Sequence, residues 1–354
     1  MAQWQAVFVG VLLIVLGGCG RSTPPVAPVL HRQPMLRVEP LPVVMQLPGL
    51  QQFAIGDWRR DGIAAPQAGT LLMGGGEEVP SAMRWFAERA GGGRLLILRA
   101  SGGADLQDYF YEEIGGISAA RTLVFDARSP SFDPEVAALI DRADAIFIAG
   151  GDQARYIRFW KDSPVQQLLT AHVQSGKPIG GTSAGLAILG GWAYGALDDG
   201  SIDSAAALAD PLGQAVTLEQ RFLQVPWLQH VLTDTHFGQR DRQGRLLAFV
   251  NKARNLSGEP VVGLGVDEDA ALALEGDGRA RLHRLDPAHV AWLIVPQLPA
   301  EQLQQGQHLR QGEVAVIGIN AESELDLGTL DVHSPAFLYR ARTDQGQWQL
   351  DQLK

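Results

Sequence analysis

Short uninterrupted apolar runs recur along the middle of the chain, at residues 70–73, 94–99, 121–125 and 145–149. Such runs are the pattern of strands buried on both faces of a parallel sheet. Between them the apolar spacing changes to three and four residues. Segments 80–90, 106–114 and 134–143 therefore predict helices, two of which open on a proline, Pro80 and Pro134. A longer amphipathic stretch, 154–175, predicts one helix that closes at Gly176 and Pro178 and leads into a short strand at 178–181. This alternation predicts an α/β fold with a doubly wound, mostly parallel sheet. Further on, strand-like runs at 261–266, 270–274, 280–285, 290–295 and 314–319 follow one another with few helices between, so the C-terminal portion is expected to be β-rich.

The front of the chain has a different pattern. Residues 6–16 form an apolar run the length of a signal-peptide hydrophobic region, followed by the small residues Gly17 and Gly18 and then Cys19. Leu16-Gly17-Gly18-Cys19 resembles a bacterial lipobox, which implies removal of residues 1–18 and lipidation of Cys19. Residues 1–5 depart from that pattern in carrying neither Lys nor Arg. Gly20 after the cysteine gives no Asp-type retention signal, so the expected location is the periplasmic side of the outer membrane or the cell surface. Pro24, Pro25, Pro28, Pro34, Pro40, Pro42 and Pro48 then give a semi-rigid spacer. The expected organisation is signal peptide 1–18, lipidated N-terminus and spacer 19–68, and a catalytic body 69–354.

Composition narrows the chemistry. The chain has 354 residues, 46% of them hydrophobic and 19% charged, which is enough to build a full core. Its net charge of −10 opposes a polyanion, so nucleic acid is excluded as a partner on charge grounds. One cysteine rules out an internal disulfide framework, a thiolate zinc site and an iron–sulfur cluster. No metal or cofactor is expected. Gly74-Gly75-Gly76 closes the first strand but lacks the G-x-G-x-x-G spacing of a dinucleotide loop, since Glu77, Glu78 and Pro80 follow.

Candidate reactive groups fall at strand ends. Gly181-Thr-Ser183-Ala-Gly185 fits G-x-S-x-G, in which glycines permit a sharp strand-to-helix turn that exposes the serine hydroxyl. Such a turn leaves the following amides free, and the N–H groups of Ala184 and of Gly151 in Gly150-Gly151-Asp152-Gln153 are expected to hold an oxyanion. A serine nucleophile needs a base, and His236 follows a strand-like 231–233. Arg240, Arg242 and Arg245 come next, cations that would depress the imidazole pKa and could grip a carboxylate. The orienting acid lies in Gly265-Val-Asp-Glu-Asp269; Glu268 is favoured, with Asp267 and Asp269 competing on spacing alone.

Together, Gly-Gly-Asp-Gln153, Gly-Gly-Thr-Ser183-Ala-Gly, Asp-x-His236-Phe with Arg240, Arg242 and Arg245, and Gly-Val-Asp-Glu268 resemble the cyanophycinases and the wider aspartyl-dipeptidase family of serine peptidases. The resemblance covers about residues 70–339. It implies a class I glutamine amidotransferase-like fold with a Ser183–His236–Glu268 triad. It also implies substrate contacts from Gln153, Asp234 and the three arginines, no cofactor, a peptide substrate and a homodimer. The implied activity is hydrolysis of aspartyl-type peptide bonds, such as β-Asp-Arg, by a serine exopeptidase. Thr235 stands where cyanophycinases usually have Gln, and Leu186 where they have Ala, and both are expected to line or shape the pocket. An amidase or esterase on the same scaffold and a silent anion-binding lipoprotein are the competing readings.

Overall fold

The computed structural model describes residues 47–198 and 200–352, so the apolar run, Cys19 and most of the proline-rich spacer lie outside the described residues. Ten strands form one sheet. Their order is Leu50–Gly56, Ala119–Phe125, Arg94–Arg99, Ala145–Ile148, Ile179–Thr182, Gly69–Met73, Ala270–Glu275, Arg279–Arg284, Glu324–Asp326 and Asp331–His333. The five from Ala119–Phe125 to Gly69–Met73 are parallel. The flanking pairs are antiparallel. The sheet is therefore mixed, where the apolar runs predicted a mostly parallel one: a doubly buried run looks the same whichever way its neighbour points.

Side-chain alternation sends each parallel strand's residues to two layers. Leu71, Met73, Leu95, Ile97 and Phe147 pack on one face with Met83 and Phe86 of the helix Pro80–Arg89. Leu72, Leu96, Leu98, Ile146 and Ile148 pack on the other with Leu139, Trp160 and Leu169. Those three belong to the helices Pro134–Arg142, Gln153–Trp160 and Pro164–Gln174. Helices thus cover both faces, as expected for an α/β sheet.

The β-rich portion divides in two. Ala270–Glu275 and Arg279–Arg284 extend the first sheet, while Val262–Val266, Ala291–Pro296 and Gln311–Ile319 join a second. That sheet of eight strands contains Val231–Asp234 lying parallel to Val262–Val266 and to Trp192–Tyr194. Leu264 and Leu293 of the second sheet share the core of the first.

Three expectations change. The stretch 154–175 is two helices, because Pro164 starts a new one and Ser163 caps it, its hydroxyl accepting from the Gln166 amide. Segment 106–114 is a short helix, Asp105–Asp108, that widens into a π-helix, Tyr109–Ile114, closed by an i→i+5 bond from the Gly115 amide to the Phe110 carbonyl. The body begins before residue 69: Leu50–Gly56, assigned to the spacer, pairs along its whole length with Ala119–Phe125.

The strand that leads to Ser183 is pinned at its start by His172. This imidazole is buried, and its Nε2–H donates to the Pro178 carbonyl at 3.0 Å. Burial pushes its pKa down to about 4, the Pro178 carbonyl opposing, so the folded protein holds it neutral. A folded-state value below the ordinary 6.5 means that stability is full above pH 6.5 and is lost as pH falls toward 4. The loss should reach about 3 kcal/mol. Urea midpoints measured across that range should fall less in His172→Gln, whose amide donates to Pro178 but cannot charge; an unchanged slope would dismiss this role.

Candidate active site

Ala145–Ile148, Ile179–Thr182 and Gly69–Met73 are neighbours in the parallel core, so their carboxyl ends bring Gly150, Ser183 and Gly74 side by side. Ala270–Glu275 is antiparallel to Gly69–Met73, so it begins at that same end, just after Glu268 and Asp269. In the second sheet, Val231–Asp234 and Val262–Val266 run parallel in register, Asp234 opposite Gly265. The chain passes from the second sheet to the first through Asp267, Glu268 and Asp269, and the site forms where the two sheets meet.

One strand end holds the pieces. The Met73 carbonyl accepts from the Ser183 amide at 3.0 Å, that of Gly74 from the His236 amide at 2.8 Å and that of Gly75 from the Asp269 amide at 2.8 Å. Gly75 has φ +105°, and a Cβ there would lie 2.3 Å from the His236 ring, so the imidazole rests on bare backbone. Ser183 has φ 51° and ψ −118°, a left-handed conformation unusual for serine, at the turn into the helix Ala184–Ala187.

Ser183 Oγ lies 2.7 Å from His236 Nε2, and His236 Nδ1 lies 2.5 Å from Glu268 Oε1. Those partners assign the tautomer: Nδ1–H donates to Glu268, and Nε2 accepts from the serine hydroxyl. The three acids left open by spacing separate by geometry. Asp267 is buried and accepts from the Gly238 and Val290 amides and the Trp292 indole. Asp269 accepts from the Glu77 amide at 2.6 Å. Glu268 alone of the three meets the imidazole. Burial lowers the His236 pKa, with Arg240 and Arg242 acting the same way and the Glu268 hydrogen bond opposing. Desolvation is the largest cause, and of the three arginines expected to act this way Arg240 and Arg242 do so, while Arg245 is not among the causes.

A cavity of about 350 Å³ opens on this relay, lined by Gly151, Gln153, Ser183, Ala184, Thr235, His236, Arg240 and Arg242 among others. Ala184 is the first residue of its helix, so its amide has no acceptor within the helix. Asp234 and Arg245 do not line the cavity. Both are buried and pair with each other bidentately, Arg245 Nε to Oδ2 at 2.8 Å and Nη2 to Oδ1 at 2.5 Å. Their expected substrate contacts are replaced by a structural role, since a fully paired carboxylate and guanidinium have nothing left to offer a ligand. Arg245 Nη1 also donates to Ser201 Oγ and the Ile202 carbonyl, tying down the loop that forms another wall. Arg242 donates to the carbonyl and hydroxyl of Thr235 and faces the cavity; burial brings its pKa down to about 10, so it stays charged at neutral pH. Thr235 thus helps shape the wall through Arg242.

Sequence reasoning missed Asp152 and Arg158, which also line the cavity. Their signal was Gln153 itself, since it starts the helix Gln153–Trp160 with Asp152 as its cap. A larger cavity, about 670 Å³, lies between the end of the helix Gln243–Ser257 and residues 299–307. Its lining is rich in carboxamides and holds neither serine nor histidine, so it offers no nucleophile–base pair.

Residues 126–282 match the family model described as peptidase family S51, a stretch that contains Gln153, Ser183, His236 and Glu268. The chain is 26% identical over 330 residues to a cyanophycinase from Synechococcus elongatus, covering 90% of this chain and 84% of the relative. It is 27% identical over 227 residues to a cyanophycinase from Trichormus variabilis, covering 60% of this chain and 70% of the relative. A solved peptidase from an acI-B1 actinobacterium is 18% identical with a TM-score of 0.48, covering 70% of this chain and 97% of that one. In sequence, then, this chain is similar to S51 peptidases and to cyanophycinases.

Proposed function

We propose that the protein is a serine exopeptidase that hydrolyses aspartyl-type peptide bonds through Ser183, His236 and Glu268, on a scaffold of the class I glutamine amidotransferase type. The observation that carries this reading is the unbroken relay from the Ser183 hydroxyl through the His236 imidazole to the Glu268 carboxylate. The strained turn at Ser183 and the similarity to S51 peptidases support it.

In this mechanism His236 Nε2 takes the hydroxyl proton as Ser183 Oγ bonds to the scissile carbonyl carbon, and Glu268 steadies the imidazolium. The amides of Gly151 and Ala184 receive the oxyanion. His236 then gives its proton to the leaving nitrogen as the C–N bond breaks, leaving an acyl-serine. Water attacks that ester with its proton passing to His236, which then returns the proton to Ser183 Oγ as the C–O bond breaks, freeing the acid product and restoring the hydroxyl. Arg240, Arg242 and Gln153 line the cavity, so a carboxylate on the substrate meets two guanidinium groups and a carboxamide. This supports an acidic acyl component, with β-Asp-Arg and related β-aspartyl peptides as the first substrates to try. We also propose an exported lipoprotein carrying its lipid on Cys19.

Ser183→Ala should lower turnover of such a peptide by at least about 10³-fold with the circular dichroism spectrum unchanged. A panel with matched amides and esters would displace the peptidase reading if only an ester turns over. Because the pKa of His236 lies below the ordinary 6.5, kcat/KM should be level from pH 8 to 6.5 and fall at lower pH as the base protonates. A rate constant that stays flat down to pH 5 would remove His236 from the role. Labelled palmitate fed to an expressing bacterium should enter the wild-type chain and not Cys19→Ser; equal labelling of the two would refute the anchor.

A further inference from the structure

We infer that Asp267 is a positioning residue for the His236–Glu268 pair: its buried carboxylate fastens the loop that carries the imidazole to the turn that carries the acid. The inference rests on the triad reading above and adds a residue to it. Asp267 Oδ1 accepts from the Gly238 amide at 2.8 Å and from the Trp292 indole at 2.9 Å, and Oδ2 accepts from the Val290 amide at 3.0 Å. Its own amide donates to the Val290 carbonyl at 3.1 Å. Gly238 lies two residues beyond His236, and Glu268 is the next residue after Asp267. One side chain therefore spans the two segments whose separation sets the contact between imidazole and carboxylate.

The surroundings fit that task better than a general packing role. The side chain is 96% buried (relative exposure 4%), and its three donors are two amides and an indole rather than an arginine or lysine. A buried carboxylate is costly, and burial pushes its carboxyl above the usual range against those donors. An oxygen fork that accepts from three directions is what a carboxylate offers and an amide does not. At Gly238 a Cβ would lie 2.9 Å from Oδ1, so glycine lets this amide come close. Other ties between the two segments are longer or more exposed: the Phe237 amide donates to the Val266 carbonyl at 3.2 Å, the Glu268 amide to Gln239 Oε1 at 2.9 Å on the exposed side, and Arg240 Nη2 stands 3.6 Å from Glu268 Oε1. With the His236–Glu268 contact only 2.5 Å long, a shift of about 1 Å between segments would break it, a displacement that can cost about 10²-fold in rate.

The test is Asp267→Asn, which replaces one acceptor oxygen with a donor and so loses at least one of the three bonds. Two readouts are taken: the proton resonance of the His236 Nδ1–H, expected far downfield in the wild type, and the rate at which a fluorophosphonate labels Ser183. The resonance should move upfield or broaden away, and labelling should slow about 10- to 100-fold. In a Glu268→Ala background the same substitution should slow labelling less than about 3-fold, because the pair it positions is already gone. An unshifted resonance, an unchanged labelling rate, or an equal loss in both backgrounds would overturn the inference. If wild-type Ser183 is not labelled at all, the hydrolase reading fails, and the resonance alone decides whether Asp267 holds the pair. Should Asp267→Asn not fold, Trp292→Phe removes one donor to the same oxygen and keeps a ring. It should show a smaller loss, again absent in the Glu268→Ala background, and an additive loss would overturn the inference.

Discussion

The site depends on three successive carbonyls. Met73, Gly74 and Gly75 accept, in that order, the amides of Ser183, His236 and Asp269, segments separated by 53 and 33 residues along the chain. Backbone bonds of this kind set position to within a few tenths of an ångström, because both partners belong to regular elements or their immediate ends. The side chains then need only short reaches to meet. Glycine is required on the accepting strand end, since a Cβ on Gly75 would occupy the imidazole's place and one on Gly74 would lie 1.9 Å from the Asp267 carbonyl.

The same argument explains why two sheets are needed. A single parallel core can place a serine and a glycine-rich turn at adjacent strand ends, and that is what the first sheet does. The imidazole and its carboxylate come from neighbouring strands of the second sheet, in register at Asp234 and Gly265. The turn 267–269 then carries the chain back into the first sheet, where Ala271 pairs with Met73. The proposed base and acid are thereby fixed relative to each other by pairing within the second sheet, separately from the strand that carries the serine.

Much of this was readable from the residues. Arg94–Arg99 matches its predicted span, and other predicted strands and helices differ mainly by a residue or two at their ends, because strong apolar periodicity survives tertiary context. The helix Gln243–Ser257 did not emerge. Leu246, Leu247, Ala248, Phe249 and Val250 are all buried, so the helix lies between packed layers and shows no polar face in its middle. Trp192–Tyr194 and Leu218–Gln220, three residues each, are too short to display a period. At the site, residue types and spacing singled out the serine, the histidine and a group of three acids. Choosing among adjacent acids needed the turn geometry: Asp269 accepts from a backbone amide, Asp267 from two amides and the Trp292 indole, and only Glu268 is aimed at the ring.

The three arginines show why spacing alone could not assign them. Their side chains are 53%, 10% and 3% exposed at Arg240, Arg242 and Arg245, a gradient from the mouth of the cavity to the core. A guanidinium buried as deeply as Arg245 requires an anion of its own, and Asp234 supplies it bidentately. That pairing leaves Arg242 with Asp234 only at 3.6 Å, beyond hydrogen-bonding distance, while its bonds go to the neutral oxygens of Thr235. Arg242 therefore carries a charge that protein contacts only partly neutralise, on the wall beside Ser183. The buried pair sets the shape of that wall, and the under-compensated neighbour gives it a sign, so selection for an anionic substrate group would follow from how deep each arginine sits.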